Sequence, residues 1–235
     1  MIRYLLTIWA TLLLLALPGF AEQQSGVQDI LAALKKGYAS MHDLQADFNQ
    51  RTYVAALKRE EKGSGELSLK KRDGGAMFRF NYLKPKQQII SNGKSVWFYL
   101  PENKQVILTD TARLFAGGNA MAMSYLTGLG DLAADFDIKL LTAAPDKKGN
   151  YLLELVPKKQ NDAVAKLHLA VSAALVEKSR SPDYSEAFFP ITSFVLFDQL
   201  GNRTTIDYSR IRVNSGVASD RFTFKVPAGV EVIKQ

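Results

Sequence analysis

The 235-residue chain contains no cysteine. That excludes a disulfide framework and thiol catalysis, and leaves the fold to be held by its apolar core. Histidine is nearly absent. His42 and His168 stand far apart, with no H-E-x-x-H and no cysteine cluster beside them, so no metal-ligand set is visible. No G-x-S-x-G elbow occurs, which removes the support for a lipase-type hydrolase. Gly128 to Ala133 matches G-x-G-x-x-A, but it follows an expected helix and lies in no βαβ unit, so no dinucleotide site is read from it. Acids are scattered and form no evident acid–base pair. The reading is therefore a protein that is not an enzyme, with neither cofactor nor metal. A helix-turn-helix or base-stacking signature is also missing, so nucleic acid is not an expected partner. Neither an internal repeat nor a Gly-, Pro- or Ser-rich linker divides the chain.

What is present begins with an apolar run. Met1-Ile2-Arg3 gives a short positive start, Tyr4 to Leu17 carries no charge, and Pro18-Gly19-Phe20-Ala21 supplies a break with small residues. This pattern predicts a secretory signal peptide over 1–21, cleaved after Ala21, with a single domain over 22–235. The run is short for a span of about 20 residues. No cysteine follows the site to take a lipid. Cleavage removes one basic residue, Arg3, and no acid, so the net charge falls from +7 to +6. The basic residues fall in pairs, such as Lys70-Lys71 and Lys158-Lys159. Paired lysines read as solvated faces, or as a weak attraction to anionic membrane surface or acidic partners. An apolar content of 47% with 23% charged residues is that of a globular domain.

Gly65 to Leu108 organises the rest. Leu67 and Leu69 alternate with Glu66, Ser68 and Lys70, and Phe78, Phe80 and Tyr82 alternate with Arg79 and Asn81. Trp97 and Tyr99 share one parity, Val96 and Phe98 the other. Period-two alternation over short runs means antiparallel strands with one face out of water. Asn92-Gly93 predicts a tight type I′ hairpin. Val27, Ile30, Leu31, Leu34, Tyr38 and Met41 recur at three- and four-residue steps, an amphipathic helix. A strand over Leu44 to Val54 follows, with a hairpin end over Lys58 to Gly65. Thr109 to Ala134 breaks the alternation with helix formers, including Met121, Met123 and Leu126. Strands resume at Phe136–Leu141, Tyr151–Val156, Lys166–Val171, Ile191–Phe197 and Arg203–Val213, with a last short strand at Arg221–Lys225. The expected class is mainly β with helices (α+β): one bent antiparallel sheet of about ten or eleven strands, curling toward a barrel or half-barrel. An aromatic-rich face under a Met-rich helical insert suits an acyl-chain binder.

At these residues the chain resembles the LolA-type outer-membrane lipoprotein carriers. Phe48-Asn49-Gln50 is similar to an early F-x-Q strand, and Gly65 to Arg72 to the family's G-x-L-x-L-K-R-P. Met77 to Tyr82 with Pro85 resembles x-F-R-W-x-Y…P, and Ile90 to Tyr99 resembles I-V-S-D-G-K-x-L-W-x-Y. Leu126 to Phe136 and Asp220 to Val232 match two further family stretches in order. The resemblance implies an incomplete β-barrel closed by a helical lid, acting as a monomeric periplasmic shuttle. Its cargo would be outer-membrane lipoproteins held by their acyl chains. Its partners would be an inner-membrane ABC release complex and an outer-membrane receptor, with transient membrane proximity. The aromatic face and the insert give the expected cavity residues, Phe78, Phe80, Tyr82, Trp97, Tyr99, Met121, Met123 and Leu126; the resemblance implies that Phe78 stands at the cavity mouth and that Arg72 is the latch on the lid. The proline after that arginine is replaced by Asp73-Gly74-Gly75, so Lys71 and Arg79 stand as alternatives. A carrier of another amphiphile such as a glycolipid, and a lipoprotein-sensing regulatory module, are the other readings.

Overall fold

Alternation of apolar and polar residues becomes twelve strands in one sheet. The computed structural model describes residues 18–73, 75–111, 132–159 and 164–235, with side chains described from residue 26 onward. The strands are β1 Asp43–Val54, β2 Arg59–Arg72, β3 Gly75–Lys84, β4 Gln87–Ser91, β5 Ser95–Leu100 and β6 Gln105–Asp110, then β7 Phe136–Leu140, β8 Asn150–Pro157, β9 Lys166–Ser172, β10 Ile191–Phe197, β11 Arg203–Val213 and β12 Glu231–Lys234. Their order across the sheet is β12-β6-β5-β4-β3-β2-β1-β11-β10-β9-β8-β7. Every pairing is antiparallel except that of β12 with β6. β12 and β7 are the two edges and do not pair, so the sheet stays open. The mainly β expectation holds, with twelve strands in place of ten or eleven.

The two faces have different partners. The inner face buries Leu44, Phe48, Leu67, Leu69, Phe78, Phe80, Leu153, Leu155, Leu167 and Phe194. Helix α1, Pro18–Ser40, lays Val27, Ile30, Ala33 and Leu34 into the same core, as its three- and four-residue spacing requires. Each such leucine or phenylalanine contributes roughly 1.5–3 kcal/mol on leaving water. Residues 18–21 of α1 belong to the expected leader. Among the described residues the shorter helices are α2 Leu132–Asp135 and α3 Ala173–Ser179. Ser172 caps α3 by accepting the Leu175 N–H at 3.4 Å.

The outer face of β2 to β5 is covered by the C-terminal segment. After β11 the chain turns at Asn214 (φ 54°), where the Asp43 carboxylate accepts N–H bonds from Ser215 at 2.8 Å and Gly216 at 3.1 Å. The chain then crosses the sheet. Lys70 donates to the Val217 carbonyl, the Arg221 guanidinium donates to Ser68 and Glu66, and Arg79 donates to the Arg221 carbonyl. Phe222 is fully buried there, together with Ile90 and Val106. The segment ends as β12 beside β6. The expected strand at Arg221–Lys225 is thus a 3₁₀ turn, Ser219–Phe222, running into the crossing, and the last strand lies further on.

Two turns differ from expectation. The β1–β2 turn is Ala55–Lys58, and Gly63-Ser64-Gly65 lies inside β2. These glycines serve a close strand approach: a Cβ on Gly65 would sit 2.0 Å from the Asn81 carbonyl oxygen, beside a register shift. At the β4–β5 hairpin only Gly93 takes positive φ (88°), so the turn is not type I′. Asn92 Oδ1 instead accepts the N–H groups of Lys94 and Ser95, both at 2.9 Å.

Candidate functional site

Directly paired residues on neighbouring strands point to the same face. Register therefore aligns Leu67, Phe80, Ile89, Phe98, Ile107 and Ile233 in one inner-face row across β2, β3, β4, β5, β6 and β12. Leu67 and Phe80 are buried, Ile89, Phe98 and Ile107 are half-buried, and Ile233 is 36% exposed. An apolar wall therefore leaves the packed core and ends at the unpaired sheet edge. Beside it, Phe48 stacks edge-on to Phe80 at 5.6 Å and to Tyr82 at 4.8 Å.

The wall becomes polar toward the β1–β2 turn. Tyr82 donates its hydroxyl to Gln50 at 2.8 Å, Gln50 donates to Thr52 at 3.2 Å, and Thr52 meets Thr204 at 3.1 Å. Burial pushes the Tyr82 phenol up to about 12, so it stays a neutral donor. Tyr208 sits on the same face with a buried hydroxyl that has no hydrogen-bond partner among the described residues. Burial, with the nearby hydroxyls of Tyr38 and Tyr82, raises its pKa far above the ordinary phenol value.

Of the expected cavity residues, the inner face brings together Phe78, Phe80 and Tyr82. It does not receive Trp97 and Tyr99. Trp97 pairs with Ile90, which pairs with Arg79, and Tyr99 pairs with Gln88, which pairs with Asn81. That is the outer face, where both rings pack on Phe224 at 6.0 and 5.5 Å. The expectation of one shared aromatic face is corrected on this point, because the β4–β5 hairpin sets the opposite parity. Phe98 and Ile89 are inner-facing residues that sequence reading missed; Phe98 shares the parity of Val96, whereas Ile89 is assigned only by its pairing with Phe98. Met121, Met123 and Leu126 lie outside the described residues.

His168 is drawn into a charge cluster on the outer face. The Glu154 carboxylate takes Lys166 at 2.8 Å, His168 at 2.9 Å and Lys139 at 2.9 Å. Hydrogen bonds from Lys166, then His168, then Lys139 hold its pKa down at about 2. A cleft of about 620 Å³ opens on the outer side of β8 to β11. It is lined by Asn150, Thr192, Ser193 and Asp207 together with Leu141, Leu152 and Val195, a mixed polar and apolar surface rather than a continuous apolar row. Among the described residues no group of three or more His, Asp or Glu is placed to hold a metal.

Residues 39–181 match the family described as "Outer membrane lipoprotein carrier protein LolA". This chain belongs to the LolA family. An outer-membrane lipoprotein carrier protein of Chromobacterium violaceum is 30% identical over 212 residues, covering 86% of both chains. One from Bordetella avium is 28% identical over 235 residues, covering 100% of both. Among solved structures, an uncharacterized conserved protein of Thermus thermophilus shares the fold with a TM-score of 0.52. It is 15% identical and covers 89% of this chain and 99% of that one.

Within this LolA-family sheet, the three candidate latch residues take different places. Arg72 is exposed at the end of β2, donating to the Asn92 carbonyl at 3.1 Å and lying against Gly93. Arg79 faces outward and holds the C-terminal crossing. Lys71 shares the inner parity of Leu67 and Leu69 and donates its ammonium to the Tyr38 carbonyl of α1. Burial lowers the Lys71 pKa.

Proposed function

We propose that this protein is a periplasmic carrier that holds lipoprotein acyl chains against the inner face of its open sheet and moves lipoproteins from the inner to the outer membrane. The observation that carries the reading is the apolar row from Leu67 to Ile233, which runs from closed core to open edge. An acyl chain laid along it would exchange water for isoleucine and phenylalanine. At about 0.8 kcal/mol per CH₂, a chain of about fourteen carbons offers roughly 10 kcal/mol gross. Ordering the chain and displacing whatever closes the empty wall reduce that figure, which permits release. The carrier names of the relatives support the same cargo class. An inner-membrane ABC release complex and an outer-membrane receptor are the partners that such transfer requires. The carrier acts as a monomer and catalyses no reaction. Phe78, Phe80 and Tyr82 belong to the binding wall, and the latch is better served by Lys71 than by Arg72.

The Tyr82-Gln50-Thr52-Thr204 ladder favours a second reading, an amphiphile such as a glycolipid whose polar head meets those groups. Mass spectrometry of what co-purifies from the periplasm separates the two. Triacylated lipoproteins are expected. Free lipid with no protein cargo would overturn the first reading and support the second.

A further inference from the structure

The β1–β2 hairpin overshoots the rest of its half of the sheet. β1 and β2 stay paired as far as Val54 and Arg59, whereas β3 stops at Lys84 opposite Ser64. Residues 59–63 of β2 therefore project past β3, by about 16 Å at ~3.3 Å per residue. The β10–β11 turn projects beside it, because Tyr53 pairs with Arg203 and the Ala55 N–H is held by Asn202 Oδ1 at 2.9 Å. Each turn presents a leucine to solvent: Leu57 is 57% exposed and Leu200 is 82% exposed. Neither turn is loosely built. Lys58 closes the first in the left-handed region, and Asp198 accepts the N–H groups of Leu200 and Asn202 in the second, at 2.9 and 2.8 Å.

Around the two leucines the side chains are graded. Tyr53 lies one step behind them, partly exposed. Glu61 is matched by Arg59 at 2.6 Å and Glu60 by Lys62 at 3.6 Å, while the Asp198 carboxylate is taken up by its own turn. The Lys58 and Arg203 side chains have no such partner among the described residues. Set back on the same end, the β3–β4 turn carries the exposed Leu83 between Tyr82 and Lys84, with Lys86 beyond. The polar ladder of the inner face, through Gln50, Thr52 and Thr204, also opens toward this end.

We infer that the paired tips of the β1–β2 and β10–β11 hairpins form a docking edge for an anionic phospholipid bilayer. Leu57 and Leu200 enter the acyl boundary, Tyr53 sits at headgroup level, and Lys58 and Arg203 meet lipid phosphates. A bilayer fits better than an acidic protein, because the leucines stand on protruding turn ends rather than in a groove with a shape to match. The inference deepens the carrier reading, since it brings the polar end of the inner wall to the surface where an acyl chain is taken up or left.

The test is co-sedimentation of the mature protein with vesicles of phosphatidylethanolamine and phosphatidylglycerol, alongside binding of an apolar fluorescent probe. Salt-sensitive vesicle binding is expected, with little on phosphatidylcholine alone. Leu57→Ser with Leu200→Ser should weaken it on the order of tenfold and leave probe binding unchanged. Lys58→Gln with Arg203→Gln should remove most of the salt dependence. Equal vesicle binding by the leucine variant overturns the inference, as does binding to polyglutamate but not to vesicles. If vesicles bind and the probe does not, the docking edge stands and the carrier reading fails; the reverse result leaves the carrier reading standing alone.

Discussion

Single residues in this fold show which groups were chosen for the sheet and which for something else. Tyr208 buries a hydroxyl with no partner among the described residues. A buried unpaired donor costs about 1–3 kcal/mol, and phenylalanine removes that cost without emptying the site. Tyr208→Phe should therefore raise stability by about 1 kcal/mol, read as a higher urea midpoint at unchanged slope. Glu154 is the opposite case, a carboxylate fully engaged by the Lys139 and Lys166 ammonium groups and the His168 ring. Its folded pKa, about 2, lies below the ordinary 4.5. Its contribution is therefore complete above the unfolded value and is lost as pH falls from about 4.5 toward 2. Urea titrations across that window should show wild type losing its advantage over Glu154→Gln as pH drops; a constant difference would count against the cluster. Neither residue was legible in the sequence. Tyr208 looks like any strand tyrosine, and Glu154 meets Lys139, Lys166 and His168 only after β7, β8 and β9 pair.

Elements were more legible than residues, because strand alternation is local. β1, β3, β5, β7 to β11 and the helical spacing of α1 all follow from apolar period. Three features did not follow. Gly63-Ser64-Gly65 reads as a turn, yet the glycines admit a neighbouring strand. Ser172 capping Ala173–Ser179 gives a helix too short for a period to show. The C-terminal crossing has no signature of its own, since Phe222 and Phe224 alternate as a strand would. Its weight in the fold is measurable. Phe222→Ala empties a fully buried site on the outer face and should cost about 3–5 kcal/mol. The loss should appear in chemical denaturation as one cooperative transition at a lower midpoint. Helix α1 supplies a second test. Lys71 holds the Tyr38 carbonyl, whereas Arg72 holds a hairpin turn. Lys71→Met should loosen α1 and raise apolar-probe binding several-fold, while Arg72→Leu leaves it nearly unchanged. The reverse ranking would put the latch on Arg72.

At the scale of the whole molecule, one sheet serves two purposes by using its faces differently. The outer face of β2 to β5 is closed by the chain's own C-terminus, so Trp97, Tyr99 and Phe224 are packing there. The inner face joins the core shared with α1 at one end of the row and grows more exposed toward β12 at the other. Parity separates Trp97 and Tyr99 from Phe98 in the sequence, but only the register of β4 and β5 decides which set faces inward. That difference gives the sharpest test of the carrier reading. Phe98→Glu places a carboxylate in the middle of the apolar row, at a half-buried position with room for the charge to reach water. It should lower affinity for an apolar probe at least tenfold, because a charged group opposes each acyl contact around it. Trp97→Ser, one residue away on the outer face, should cost stability through Phe224 but leave probe affinity within about twofold. Equal losses from both variants, with both folded by circular dichroism, would mean that the bound chain does not lie along the Leu67 to Ile233 row.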